Sequence, residues 1–325
     1  MSARATFFDQ EAANRRSSVL LVLIVVVILA ALGFTIGYAT SGAAAGGLVV
    51  TVGAVILGAL LSLGSYFGGD KLLLATSGAR EVDERSAPQL VDVVREMSVA
   101  AGVPMPKVYV IEDSAPNAFA TGRDPEHASV AITTGLLEKL DREELQGVLG
   151  HELSHVRNFD IRFALLLAVL VGSIAILAQF FLRFTFWGGG GGGNRRGGGG
   201  GLAVIALLLA IVLSILAPIM ARLVQLAVSR QREYLADASS VELTRNPYGL
   251  ERALAKIAAD PEVLEVANGA TQHLYFTNPI KKFEQRASSM FDTHPPIVDR
   301  INRIRALTGE GPLPAAEAAP LDGVD

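Results

Sequence analysis

Four nearly continuous apolar stretches divide this chain: Val19–Tyr38, Leu48–Tyr66, Ile161–Leu182 and Leu202–Met220. Each holds about 20 residues, the length an α-helix needs to cross a bilayer core. The nine residues between the first two are small and uncharged, so that pair reads as a helical hairpin. The last two form a second hairpin, with Arg162 near the start of its first helix, where a long side chain can snorkel. Arg15-Arg16 before the first run and Ala43–Ala45 after it resemble an export signal. That run exceeds the ~7–15 residues of a signal core and a second span follows, which favours a retained helix.

Two polar blocks, roughly 67–160 and 221–307, alternate with the hairpins. In the first, Pro88–Ala101 carries Leu90, Val93, Val94 and Met97 at helical spacing, predicting an amphipathic helix. Lys107–Ile111 and Ser129–Thr133 are short β-prone runs, separated by Pro116–Gly122. Between them an exposed strand carrying Asn117, Ala118 and Phe119 could take a peptide by strand addition; a plain hairpin connection is the alternative. The loop at 188–201 is two glycine runs around Asn194-Arg195-Arg196 and reads as a connector. The expected organisation is a cytoplasmic segment (1–18), hairpin 1 (19–66), a first polar part (67–160), hairpin 2 (161–220), a second polar part (221–307) and a disordered tail (308–325). The fold class expected is mainly α with a small β-sheet: a polytopic membrane protein of four transmembrane helices plus a cytoplasmic domain.

Composition sharpens this picture. Half the residues are hydrophobic and 18% are charged, a membrane-protein balance, with mean hydropathy +0.40. A net charge of −4 gives no reason to expect nucleic acid. With no cysteine, thiolate ligands, iron–sulfur clusters and disulfides are excluded. With an inside amino terminus, eleven Arg and Lys flank the inner span ends and only Arg183, Arg195 and Arg196 lie outside. That bias places the polar parts in the cytoplasm.

The chemistry concentrates in His151-Glu152-Leu153-Ser154-His155. Two histidines four apart on a helix share a face and can reach one ion, while Glu152 can act on a water bound to it. Without cysteine, one Zn2+ per chain must be held by His and carboxylate, a combination typical of catalytic sites. Such a site needs a third protein ligand, and Glu233, 78 residues beyond His155, is the candidate because a membrane hairpin returns the chain to the side it left. Asp237, one turn on, and Asp160 could each accept a hydrogen bond from a ligand histidine; solvated or capping carboxylates are the plain alternative. His294, in Thr293-His294-Pro295-Pro296, reads either as a surface turn residue or as an oxyanion stabiliser. His127 and His273 carry no neighbouring signature.

These pieces resemble the HtpX-like integral membrane zinc endopeptidases, which share a wider family with the CAAX prenyl endopeptidases. The resemblance rests on Pro116–Gly122, Gly150–His155, Asn158 with Asp160, Arg232–Asp237 and Thr293–Pro296, in that order and interleaved with spans over about residues 15–306. It implies a zincin-like protease domain with zinc ligands at His151, His155 and Glu233 and a general base at Glu152. It also implies a multi-pass protein of the cell membrane whose cytoplasmic site hydrolyses misfolded or damaged membrane proteins, by attack of a zinc-bound water. A prenyl-peptide endopeptidase and a non-catalytic zinc-binding scaffold are the alternatives. The glycine-rich loop departs from the family pattern.

Overall fold

The computed structural model describes residues 41–166, 230–262, 276 and 295–314, with positions 16, 19–20, 22–24, 26–31, 33–34 and 37–38 of the first apolar stretch. Most of the third span, all of the fourth, the glycine-rich loop, His273, His294 and the end of the tail lie outside those residues. Within them the fold is mainly helical, with one small mixed sheet.

Helix α1 (Ala44–Thr76) is the one described helix long and apolar enough to cross a membrane. It runs ten residues past the apolar stretch ending at Tyr66, through Gly68-Gly69-Asp70-Lys71. Packing explains the extension: Leu73 and Leu74 bury against Ile111, Ala115, Phe119 and Ala131 on one face of the sheet. The first apolar stretch is helical at its described positions and approaches α1 closely. A Cβ added at Gly37 would meet the Gly46 carbonyl oxygen at 2.4 Å, so glycine is what allows that approach.

The sheet comprises β1 (Arg80–Glu81), β2 (Lys107–Ile111), β3 (Ala118–Gly122) and β4 (Ala128–Thr133), in the order β1-β2-β4-β3. β2 pairs parallel with β4, from Lys107 opposite Ser129 to Ile111 opposite Thr133. β3 returns antiparallel along the far side of β4, from Ala118 opposite Ile132 to Gly122 opposite Ala128. Successive side chains point to opposite faces. Val108, Val110, Ala118, Ala120, Val130 and Ile132 thus join the main core, while Ile111, Phe119 and Ala131 meet the end of α1.

On the main-core face lie α2 (Pro88–Ala101), α3 (Thr134–Lys139), α4 (Arg142–Arg157), α5 (Arg230–Thr244), α6 (Pro247–Ala259) and α7 (Ile297–Leu307). Helix α2 starts with proline in its first turn and ends at Gly102, whose φ of +67 suits glycine. Helix α4 opens with a reciprocal cap: Asp141 Oδ1 accepts from the Glu144 amide at 2.9 Å and Glu144 Oε2 from the Asp141 amide at 2.8 Å. The Glu144 carboxylate, buried, also takes Lys256 Nζ at 2.7 Å from α6.

Glycines on α4 set the closeness of its neighbours. A Cβ at Gly147 would lie 2.7 Å from the Leu250 amide nitrogen of α6, and one at Gly150 would lie 2.8 Å from Ser240 Oγ of α5. Ser240 Oγ donates to the Gly147 carbonyl at 2.5 Å across that gap. The same close approach carries the amino-terminal half of α5, and with it Glu233, onto the histidine face of α4.

Candidate metal centre

His151 and His155 stand one turn apart on α4, with their Nε2 atoms 3.1 Å from each other. Glu233 on α5 faces both: Oε2 lies 3.5 Å from His151 Nε2 and Oε1 lies 3.6 Å from His155 Nε2. A tetrahedral ion with bonds of ~2.0–2.1 Å separates its donors by roughly 3.3–3.4 Å. The three edges bracket that spacing, so these side chains fit one small cation. Two imidazoles and a carboxylate, with no sulfur, are a donor set suited to Zn2+.

The outer nitrogens of both rings are fixed by carboxylates. His151 Nδ1–H donates to Asp237 Oδ1 and His155 Nδ1–H to Asp160 Oδ2, each at 2.9 Å. A carboxylate can only accept, so each ring holds a hydrogen at Nδ1, which leaves Nε2, on the Glu233 side, as the atom that binds a cation once it carries no proton. Asp160 is held in turn by Arg232, with Nε 3.6 Å from Oδ1.

Arg300, fully buried on α7, supplies the deepest connection. Its Nε donates to Asp237 Oδ2 at 2.9 Å and its Nη2 to Asp237 Oδ1 at 2.7 Å, the bidentate geometry that suits guanidinium. Its Nη1 donates to the Phe276 carbonyl at 3.2 Å, and the Phe276 ring stands edge-on to His151 with centroids 4.9 Å apart. Burial would raise the Asp237 carboxyl, yet the Arg300 charge and the His151 hydrogen bond hold it below its ordinary range. No motif in the sequence assigns Arg300 a role. The available signal was a charge falling on the core-facing positions of an amphipathic helix, beside Ile301 and Ile304.

Glu152 lies next to this cluster, 3% exposed, and accepts a hydrogen bond from the Ala120 amide of β3. Burial, reinforced by the Glu233 charge, pushes its carboxyl above the ordinary value despite the nearby imidazoles. A raised carboxyl takes up a proton more readily near neutrality.

β3 differs from the exposed strand expected for Asn117, Ala118 and Phe119. It is an edge strand by order, but those residues are 3%, 1% and 1% exposed. The Ala118 carbonyl accepts from the Phe276 amide at 2.8 Å, and the Ala118 amide donates to Asn117 Oδ1 at 3.0 Å. The outward backbone groups at Ala118 are thus already paired within the chain, so the edge is closed at that residue. Elsewhere, Asp124, Glu126 and His127 cluster in the half-exposed turn before β4, where Asp124 caps a short 3-10 turn.

In the metal-free chain His155 is protonated near neutrality. Burial alone would lower its pKa, but the Asp160 hydrogen bond and the Glu233, Asp160 and Glu152 charges push it up to about 9. A bound cation must displace that proton. Zinc affinity of the full chain is therefore expected to strengthen about tenfold per pH unit from pH ~7 to ~9 and then level off, as read by chelator competition. A flat profile over that window would contradict the assignment. The raised value also stabilises the metal-free fold below the ordinary histidine pKa of 6.5, and that contribution disappears as pH rises through about 9.

The chain is similar to several known proteins. The family model described as "Peptidase family M48" matches residues 84–308. A protease HtpX homolog of Streptococcus gordonii is 43% identical over 300 residues, covering 92% of this chain and 99% of its own. One from Streptococcus agalactiae serotype III is 45% identical over 298 residues, with the same shares. Among solved structures, the crystal structure of S. mikatae Ste24p is similar over 77% of this chain at 16% identity and a TM-score of 0.43, and this chain spans 57% of that one.

Proposed function

This chain belongs to peptidase family M48 and is a metalloprotease, and from that premise we propose a membrane-embedded zinc endopeptidase that holds its ion with His151, His155 and Glu233. The observation that carries the proposal is the convergence of two imidazole nitrogens and one carboxylate at 3.1–3.6 Å, with each ring's other nitrogen pinned by an aspartate. When bound there, the ion supplies a Lewis acid that lowers the pKa of water from 15.7 toward about 7 and polarises a peptide carbonyl.

The remaining work falls to side chains. Glu152 takes a proton onto its carboxylate as water attacks and returns it to the departing amine. Its raised pKa and its place beside the cation-holding face suit both transfers. Asp237 and Asp160 keep the imidazoles oriented, and Arg300 keeps Asp237 in place. His294 is retained as a donor to the developing oxyanion. A substrate would lie extended beside Asn117, Ala118 and Phe119 once the pairing at that edge is exchanged.

The long apolar α1 supports a bilayer location, and the Arg and Lys bias supports a cytoplasmic site. The domain boundaries, four spans and glycine-rich outer loop set out above belong to the same reading. Its substrates are misfolded or damaged membrane proteins.

The purified full chain is expected to carry one zinc, to lose zinc and cleavage of an unfolded model protein together on chelation, and to regain both when zinc is restored. Glu233→Ala should bind less metal. Undiminished cleavage by chain stripped of metal would refute the proposal.

A further inference from the structure

The end of the apolar part of α1 carries a cluster that the cleavage chemistry does not use. Leu48, Val52, Ile56, Leu60, Leu63 and Phe67 are exposed along α1, and Phe67 is 60% exposed. From Leu48 to Tyr66 the helix rises about 27 Å, close to the thickness of a hydrocarbon core. Asp70 and Lys71 follow one turn later. Tyr66 and Phe67 thus fall at the level where a bilayer gives way to headgroups.

Two guanidinium groups converge on that level from different parts of the fold. Arg123, just after β3, stands 6.0 Å from the Tyr66 ring centroid and 5.5 Å from that of Phe67. Arg162, beyond the end of α4, stands 5.9 Å from the same Tyr66 ring and 4.8 Å from Phe159. Arg162 Nε donates to the Arg123 carbonyl at 2.5 Å, which ties the two together. Both are half-buried.

Among the described residues, one carboxylate faces the two guanidinium groups. Asp124 Oδ2 lies 3.5 Å from Arg123 Nε, and that carboxylate is shared with His127 Nδ1 at 2.6 Å. Among the described residues, no carboxylate lies within ion-pair distance of Arg162. Phe159, whose ring faces Arg162, has φ +60, a left-handed conformation uncommon for a bulky residue. It occupies the position after a helix end where glycine is usual, so the chain keeps an aromatic ring there at a conformational cost.

We propose that Arg123 and Arg162 bind the phosphate of an anionic phospholipid headgroup at the cytoplasmic end of α1. Planar guanidinium forks suit phosphate oxygens, and stacking on Tyr66 and Phe159 presets their orientation. The exposed face of α1 lies alongside for the acyl chains. This assignment rests on the membrane reading above.

Native mass spectrometry of the detergent-purified full chain, titrated with phosphatidylglycerol, tests it. R123Q/R162Q is expected to weaken phosphatidylglycerol binding about tenfold or more, with phosphatidylcholine binding unchanged. Arg162→Lys keeps the charge but not the fork and should weaken it about threefold. It carries the test if the double substitution does not fold. Equal phosphatidylglycerol affinity in wild type and the folded variants overturns the site. Arginine-dependent displacement of the lipid by millimolar inorganic phosphate would show a free-anion site and overturn the lipid assignment. Flotation with phosphatidylcholine vesicles separates the two readings. A chain that stays out of the vesicles refutes membrane residence, whereas one that floats but shows no arginine-dependent lipid preference refutes only this site.

Discussion

Glu152→Gln is expected to lower peptide-bond cleavage by about 10²–10⁴-fold, while metal content stays at the wild-type level. The amide has the carboxylate's shape and can still accept the Ala120 hydrogen bond, so the packing around it persists. What it cannot do is take up a proton. Glu152 is absent from the trio of converging donors, which leaves His151, His155 and Glu233 able to hold a cation. Removing a buried charge also removes its desolvation cost, so the variant should unfold at no lower temperature than wild type. Zinc stoichiometry beside gel-based cleavage of an unfolded protein provides the check. Retained cleavage would strip Glu152 of its role, and lost zinc would recast it as a ligand.

Arg300→Leu should be the most damaging change outside the metal trio. It leaves the Asp237 carboxylate buried without its guanidinium and frees the Phe276 carbonyl as well. Breaking a buried ion pair from one side costs about 3–5 kcal/mol, read as a lower denaturation midpoint. Asp237 also orients His151, so zinc should bind about 10–100-fold more weakly in whatever fraction stays folded. Arg300→Lys keeps the charge but cannot bridge both carboxylate oxygens and the carbonyl, and it should fall between. A midpoint and zinc affinity unchanged in Arg300→Leu would mean that Asp237 finds its support elsewhere.

Much of the core was legible because its helices obey simple periodicities. Leu90, Val93, Val94 and Met97 announce α2, and the histidine pair announces the chemistry of α4 before any fold is known. Helix α5 is different. Its buried residues are Glu233, Ala236, Asp237, Ser239 and Ser240, so its inward face is polar and hydropathy gives no sign of it. The need for a third ligand and the family resemblance of Arg232–Asp237 are what point there. Arg300 escaped for the opposite reason, since a charge on a core-facing position looks like an irregularity until Asp237 is seen opposite.

The sheet shows what spacing leaves undecided. The two β-prone runs were evident, but their parallel pairing, with β3 folded back along the outer side of β4, depends on contacts between segments and not on local pattern. The burial of β3 was missed because its cover comes from the end of α1 on one side and from Phe276 at its edge. Likewise, α1 outruns its apolar stretch because Leu73 and Leu74 find the sheet, something composition around Gly68-Gly69 conceals.

Chain order carries a final consequence. The histidine pair is synthesised 78 residues before Glu233, and Arg300 follows 67 residues after that. A ribosome-bound chain that has made only the first polar part holds two of the three donors and lacks both Asp237 and its Arg300 clamp. Such an intermediate is expected to be unable to cut itself or its neighbours, so activity would arise only once the second polar part is made.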